Sequence, residues 1–87
     1  LQIAAEKGCL EVVSLLVKHG ANVNASTPEC LNTPLHAAIQ SQHAEIVSFL
    51  LRNGADANRK TERMRTPLMN AAITGNRTIV SLLLYHG

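Results

Sequence analysis

Four histidines, two cysteines and a recurring serine are the side chains of this 87-residue sequence that could ligate a metal or attack a substrate. A structural zinc site wants closely spaced Cys or His pairs such as CxxC, and a catalytic one wants two His one helical turn apart. Cys9, His19, Cys30, His36, His43 and His86 form neither pattern. A nucleophile needs a base beside it and a third group to orient that base. Ser14, Ser48 and Ser81 instead fall at equivalent places in a repeating unit, and repetition argues against a unique catalytic residue. The five glycines stand at helix ends and turns and build no phosphate-cradling loop. The residues therefore predict no catalytic site, no metal site and no cofactor.

What positions these side chains is a repeat. Thr33-Pro34-Leu35 returns as Thr66-Pro67-Leu68, and the same offset of 33 lays Ile46-Val47-Ser48 on Ile79-Val80-Ser81. Toward the N-terminus an offset of 34 lays Glu45-Ile46-Val47-Ser48-Phe49-Leu50-Leu51 on Glu11-Val12-Val13-Ser14-Leu15-Leu16-Val17. A fixed period of this length signals a stacked array, with about two and a half units here. In each unit a threonine caps a helix and the following proline, with φ preset and no N–H to satisfy, takes its first position. The first helix is predicted over about 35–41 and the second over 44–53, with Ile46, Val47, Leu50 and Leu51 as its apolar stripe. Gly20, Gly54 and Gly87 end the second helices, since the left-handed position after a helix suits glycine. Cys9, His43 and Asn76 share the place before a second helix and are expected to cap it; His36 is expected to partner Thr33.

These residues resemble the ankyrin repeat family. The resemblance rests on Thr33-Pro34-Leu35-His36-Ala37-Ala38, on Ala4-Ala5-Glu6-Lys7-Gly8-Cys9-Leu10-Glu11-Val12-Val13, and on the Gly-Ala-Asn-Val-Asn and Gly-Ala-Asp-Ala-Asn stretches ending at Asn24 and Asn58. It implies an all-α solenoid of stacked helix-turn-helix units joined by β-turn hairpins. One domain would cover 1–87: a partial repeat in 1–24, a full repeat in 25–58, and a repeat in 59–87 that stops after its second helix. Members usually carry glycine where Leu31 and Met64 stand and aspartate where Pro28 and Thr61 stand, so those hairpins are expected to deviate in shape. Met69 replaces the usual histidine and leaves Thr66 without the partner that Thr33 has. Apolar residues at both ends, Leu1 and Ile3 and then Ile79, Val80, Leu82 and Leu83, predict further repeats on either side, with the natural N-terminus upstream of Leu1.

The same resemblance places function on the concave face, a non-catalytic surface for protein partners. Mapped residue by residue, it comprises the tips Glu29, Cys30, Asn32, Lys60, Glu62, Arg63 and Arg65 and the helix positions Glu6, Lys7, Gln40, Ser41, Ile73 and Thr74. His19, Asn53 and His86 extend it. Asn24 and Asn58, each with a leucine eight residues earlier, stand where an asparaginyl hydroxylase modifies some members; turn formation is the plainer role.

Charge sharpens the picture. Residues 1–58 hold three basic and five acidic side chains, whereas 59–87 hold five basic ones against Glu62. Arg59-Lys60-Thr61-Glu62-Arg63-Met64-Arg65 concentrates the excess and predicts an acidic protein surface or peptide as partner. A solvated turn is the bland reading. Nucleic acid or another anionic ligand is the alternative, weakened because the charges form one tip and no exposed aromatic accompanies them. Hydrophobic residues make up 46% of the chain but Phe49 and Tyr85 are its only aromatics, which suits close-packed helices. Two cysteines without a disulfide framework and the lack of a long apolar run predict a cytoplasmic or nuclear protein without membrane insertion.

Overall fold

Thr33 and Thr66 each precede a proline, and in the computed structural model, which describes residues 1–26 and 32–86, each opens a helix. Helices α1 (Gln2–Lys7) and α2 (Leu10–Lys18) form the first pair. Helices α3 (Pro34–Gln40) and α4 (Ala44–Arg52) form the second, α5 (Pro67–Thr74) and α6 (Arg77–His86) the third. The expected spans stand to within a residue. The Thr33 hydroxyl accepts the His36 N–H while the His36 ring reaches back to the Thr33 N–H, a closed capping box. Thr66 keeps only the backbone half of that device, accepting the Met69 N–H at 3.2 Å.

Helix α3 packs between α1 and α5, and α4 between α2 and α6, so the central pair is covered on both sides. Its residues are the core: Leu35, Ala38, Ile39, Ile46, Val47 and Leu50 are buried, joined by Ala5, Val13, Ala71, Ile79 and Leu83 from the outer pairs. Each large aliphatic side chain removed from water contributes about 1.5–3 kcal/mol, while alanines let the first helices approach closely. The outer pairs are covered on one side. Leu68 is 38% exposed where its counterpart Leu35 is 0%, and Leu84 64% where Leu51 is 8%.

Helices α2 and α4 end on glycine as the pattern requires, while Gly87, expected to end α6, lies outside the described residues. Gly54, at φ +92°, donates to Leu51 O while Ala55 N–H reaches back to Leu50 O, and Gly20 and Ala21 repeat both bonds on Val17 and Leu16. These are Schellman ends, which satisfy carbonyls the helix leaves open. The first helices also end on left-handed residues, Gly8 and Gly75, and between them, at the equivalent place, Gln42 adopts φ +61° and carries the same pair of bonds, to Ile39 O and from His43 N–H to Ala38 O.

The shared capping role expected of Cys9, His43 and Asn76 holds for Asn76 alone. Its Oδ1 accepts the Ile79 N–H at 3.2 Å. Cys9 and His43 make no side-chain cap. Imidazole at this place is spent elsewhere: His43 Nε2 lies 3.0 Å from the carbonyl of Glu6, tying the second pair to the first. A Cβ on Gly8 would sit 2.7 Å from the same ring, so glycine there makes room for the tie.

Candidate ligand-binding face

Two asparagines that read as turn formers prove unequal. Asn24 Nδ2 donates to Gly54 O at 3.0 Å and its Oδ1 accepts the Asp56 N–H at 2.7 Å, so one carboxamide buckles adjacent turns together. Asn58 is exposed, and its backbone N–H bonds to Asp56 Oδ1. Asn24 N–H does the same with Asn22 Oδ1, which makes the local turn common to both sites and the bridge particular to Asn24.

The basic hairpin is held from below. Arg59 donates to Ser26 Oγ at 3.4 Å, across to the preceding connection. At the tip, Met64 N–H bonds to Thr61 O and Thr61 N–H to Arg65 O, both at 2.9 Å, with Met64 at φ +62°. A turn followed by a left-handed residue is the three-residue hairpin loop with a glycine-type bulge. Methionine here adopts the left-handed backbone that favours glycine, and the turn closes. Leu31 and Pro28, the other departures, lie outside the described residues, as do Glu29 and Cys30 of the expected binding set.

His36 is buried in the core at the start of α3. Its Nδ1 faces the Thr33 hydroxyl at 2.8 Å and accepts the Thr33 N–H, which leaves the ring proton on Nε2. That nitrogen is buried without a hydrogen-bond partner among the described residues. Burial pushes the imidazole below its ordinary pKa; the carbonyls of Arg59 and Arg65 oppose the shift and the Arg59 charge adds to it. The bonds to Thr33 give His36 a structural role, closing the cap of α3. Among the described residues no three of His, Cys, Asp and Glu gather as a metal would require.

Between the hairpin and the first helices runs a groove. Its larger part, a cleft of about 460 Å³, is lined by Asn32, Gln40, Thr61, Glu62, Arg63, Arg65, Asn70, Ile73 and Thr74. A smaller extension of about 240 Å³ continues over Gln2, Glu6, Asn32, Ala37, Gln40 and Ser41. The two meet at Asn32 and Gln40. Lys7 and Lys60, also expected on this face, are exposed but line neither cleft. Thr61 and Asn70 were not anticipated. Asn70 could have been found, because it puts a carboxamide where the equivalent residue of the second pair is Ala37. Ile73 is 64% exposed, an aliphatic side chain standing in otherwise polar surroundings.

Stacked helix pairs with Thr-Pro starts, glycine ends and projecting turns define an α-solenoid. The family model for ankyrin repeats, in three copies, matches residues 1–87, and the chain belongs to that family. Among curated proteins it is similar to the NF-kappa-B inhibitor cactus of Drosophila melanogaster, 42% identical over 40 residues, which is 46% of this chain and 8% of that protein. The cactus protein of Drosophila yakuba matches equally. Human Rabankyrin-5 is 51% identical over 43 residues, 49% of this chain and 4% of its own length. The aligned stretches thus span less than a tenth of these relatives. Ankyrin repeats are in general protein-interaction modules and non-enzymatic scaffolds, and no helix among the described residues is long and apolar enough to cross a membrane.

Proposed function

We propose that this chain is a non-catalytic interaction module that holds a partner protein through its concave face and hairpin tips, in the cytoplasm or nucleus. The observation that carries the reading is the groove. Interior positions are occupied by stacking, whereas Gln40, Arg63, Arg65 and Ile73 face a cleft and serve no core contact. A rigid face of this kind binds without a large ordering cost. The relative named as an inhibitor of NF-kappa-B is by that name a protein acting on another protein, which agrees with the reading. Cys9 is an exposed free thiol, suited to a reducing compartment. Asn24 and Asn58 are retained as sites for asparaginyl hydroxylation, Asn58 the more accessible and Asn24 the one whose bridging bonds must open first.

Further repeats flank the segment in this proposal, on residues that differ in part from those expected: Ile79 and Leu83 are buried in the core, whereas Leu68, Met69 and Leu84 at one end and Ile3 and Leu15 at the other are uncovered. A monomeric chain whose surface binds no apolar dye would overturn that part. The main reading is tested by affinity capture from nuclease-treated lysate, comparing the unaltered chain with Arg63→Glu/Arg65→Glu. Reversal of both charges is expected to weaken retention of a protein partner more than tenfold. Retention that disappears on nuclease treatment would favour nucleic acid at the 59–65 hairpin instead, and equal retention by both chains would refute the role given to the basic tip.

A further inference from the structure

The cleft beneath the hairpin has a chemistry more specific than a general protein-binding face. Its floor offers one aliphatic side chain, Ile73. Its wall carries Arg63 and Arg65 on either side of the left-handed Met64, with Glu62 as the single opposing charge. Gln40 and Asn70 line it with carboxamides that make no hydrogen bond among the described residues, each presenting an acceptor and two donors. Backbone amides of a helix are already satisfied internally, so a pair of open carboxamides is matched by a chain whose N–H and C=O groups are exposed. Two guanidiniums take carboxylates through charge-assisted, often bidentate, hydrogen bonds.

We infer that this cleft holds an extended acidic peptide segment, with carboxylates at Arg63 and Arg65, one aliphatic side chain on Ile73, and its backbone against Gln40 and Asn70. The inference rests on the interaction-module reading and narrows it to one class of occupant. The cleft volume of about 460 Å³ falls within the range of roughly 300–1,000 Å³ usual for ligand sites. Charge along the groove also sets direction. The extension past Gln40 reaches Glu6, so the acidic part of the segment lies at the hairpin and its neutral or basic part over α1. Nucleic acid fits less well: Glu62 opposes phosphate, and no aromatic lines the cleft to stack on a base.

The test is a titration of the isotope-labelled chain, followed by amide NMR shifts, with a synthetic peptide carrying one leucine between two aspartates in a glycine-serine frame. Expected shifts cluster at Gln40, Asn70, Ile73 and the 61–65 turn, and the affinity falls with added salt. Replacing the aspartates by asparagines, or using Arg63→Gln/Arg65→Gln, is expected to weaken binding about tenfold, with Ile73→Ser about fivefold and Lys18→Gln, on the exposed last turn of α2, unchanged. Amide spectra establish that each variant is folded before its affinity is compared. Equal binding of the neutral peptide, shifts elsewhere on the surface, or an oligonucleotide that binds the cleft more tightly than the peptide each overturn the inference. If lysate capture depends on Arg63 and Arg65 while the acidic peptide leaves the cleft unshifted, the module reading survives and this assignment fails.

Discussion

Replacing Asn24 by alanine separates the two roles that one residue plays between neighbouring helix pairs. The substitution removes a 3.0 Å bond to Gly54 O and a 2.7 Å bond from the Asp56 N–H, while the local bond from its own N–H to Asn22 remains. Two hydrogen bonds are worth about 0.5–1.5 kcal/mol each. Gly54 and Asp56 are exposed, so water compensates their lost partner in part, and the expected cost is about 1–2 kcal/mol. For a domain of this size that lowers Tm by about 4–16 °C. Asn58→Ala is the internal control: the residue shares the local turn but makes no bridging bond among the described residues, and its expected cost stays below about 0.5 kcal/mol. Urea unfolding followed by far-UV circular dichroism measures both, with an unchanged m-value showing that the native ensemble is intact. If Asn24→Ala lay within about 0.3 kcal/mol of the unaltered chain, or the two variants were equally destabilised, the bridge would contribute nothing and the argument would fail.

Gln42→Gly and Met64→Gly relieve the two left-handed non-glycine residues and should each stabilise by about 0.5–1 kcal/mol, read as a shift of the urea midpoint; destabilisation by either would contradict the assigned backbone. Leu50→Ala, at a buried site of the central pair, is expected to cost about 3–5 kcal/mol, against less than about 1 kcal/mol for the exposed Leu84→Ala, by the same unfolding assay. The pH dependence follows from His36, whose folded pKa lies below the ordinary 6.5. Below 6.5 the unfolded chain takes up a proton that the fold resists, so stability is full above that pH and declines as pH falls toward the depressed value. Urea midpoints at stepped pH should show this slope, and His36→Gln should flatten it; an unchanged slope in the variant would assign it to other groups.

What could be read from the sequence was what is local or periodic. Thr33 and Thr66, the prolines after them and the glycines at 20 and 54 dictate helix starts and stops through φ preferences and capping that act within a few residues. The period then supplied the stack. Contacts reaching across to another unit were harder. His43 looks like a cap because its neighbours in register do, yet an imidazole is long enough to reach Glu6 O, a partner 37 residues away. The glycine at position 8 was the available signal, since it alone clears the ring. Gln42 could have been flagged by Gly8 and Gly75 in register with it. Of the candidate face, Gln40 was legible from its place after the alanine pair, Ile73 and the arginine tip as departures from the repeat, and Asn70 by comparison with Ala37, whereas Thr61 enters because the hairpin folds over α5, a tertiary arrangement that no local preference encodes.

The one-sided cover of the outer pairs has a mechanical corollary. In this segment taken by itself, tension applied to its two ends reaches first the pairs that are held by a single neighbour, while α3 and α4 are clasped from both sides. Such a stack yields stepwise, outer pairs peeling before the middle, and the Asn24 and His43 ties are the stitches that resist the first peel on the N-terminal side. Extension would therefore erase one end of the groove at a time. The hairpin, pinned at Arg59 to the preceding connection, stays seated as long as the central pair does.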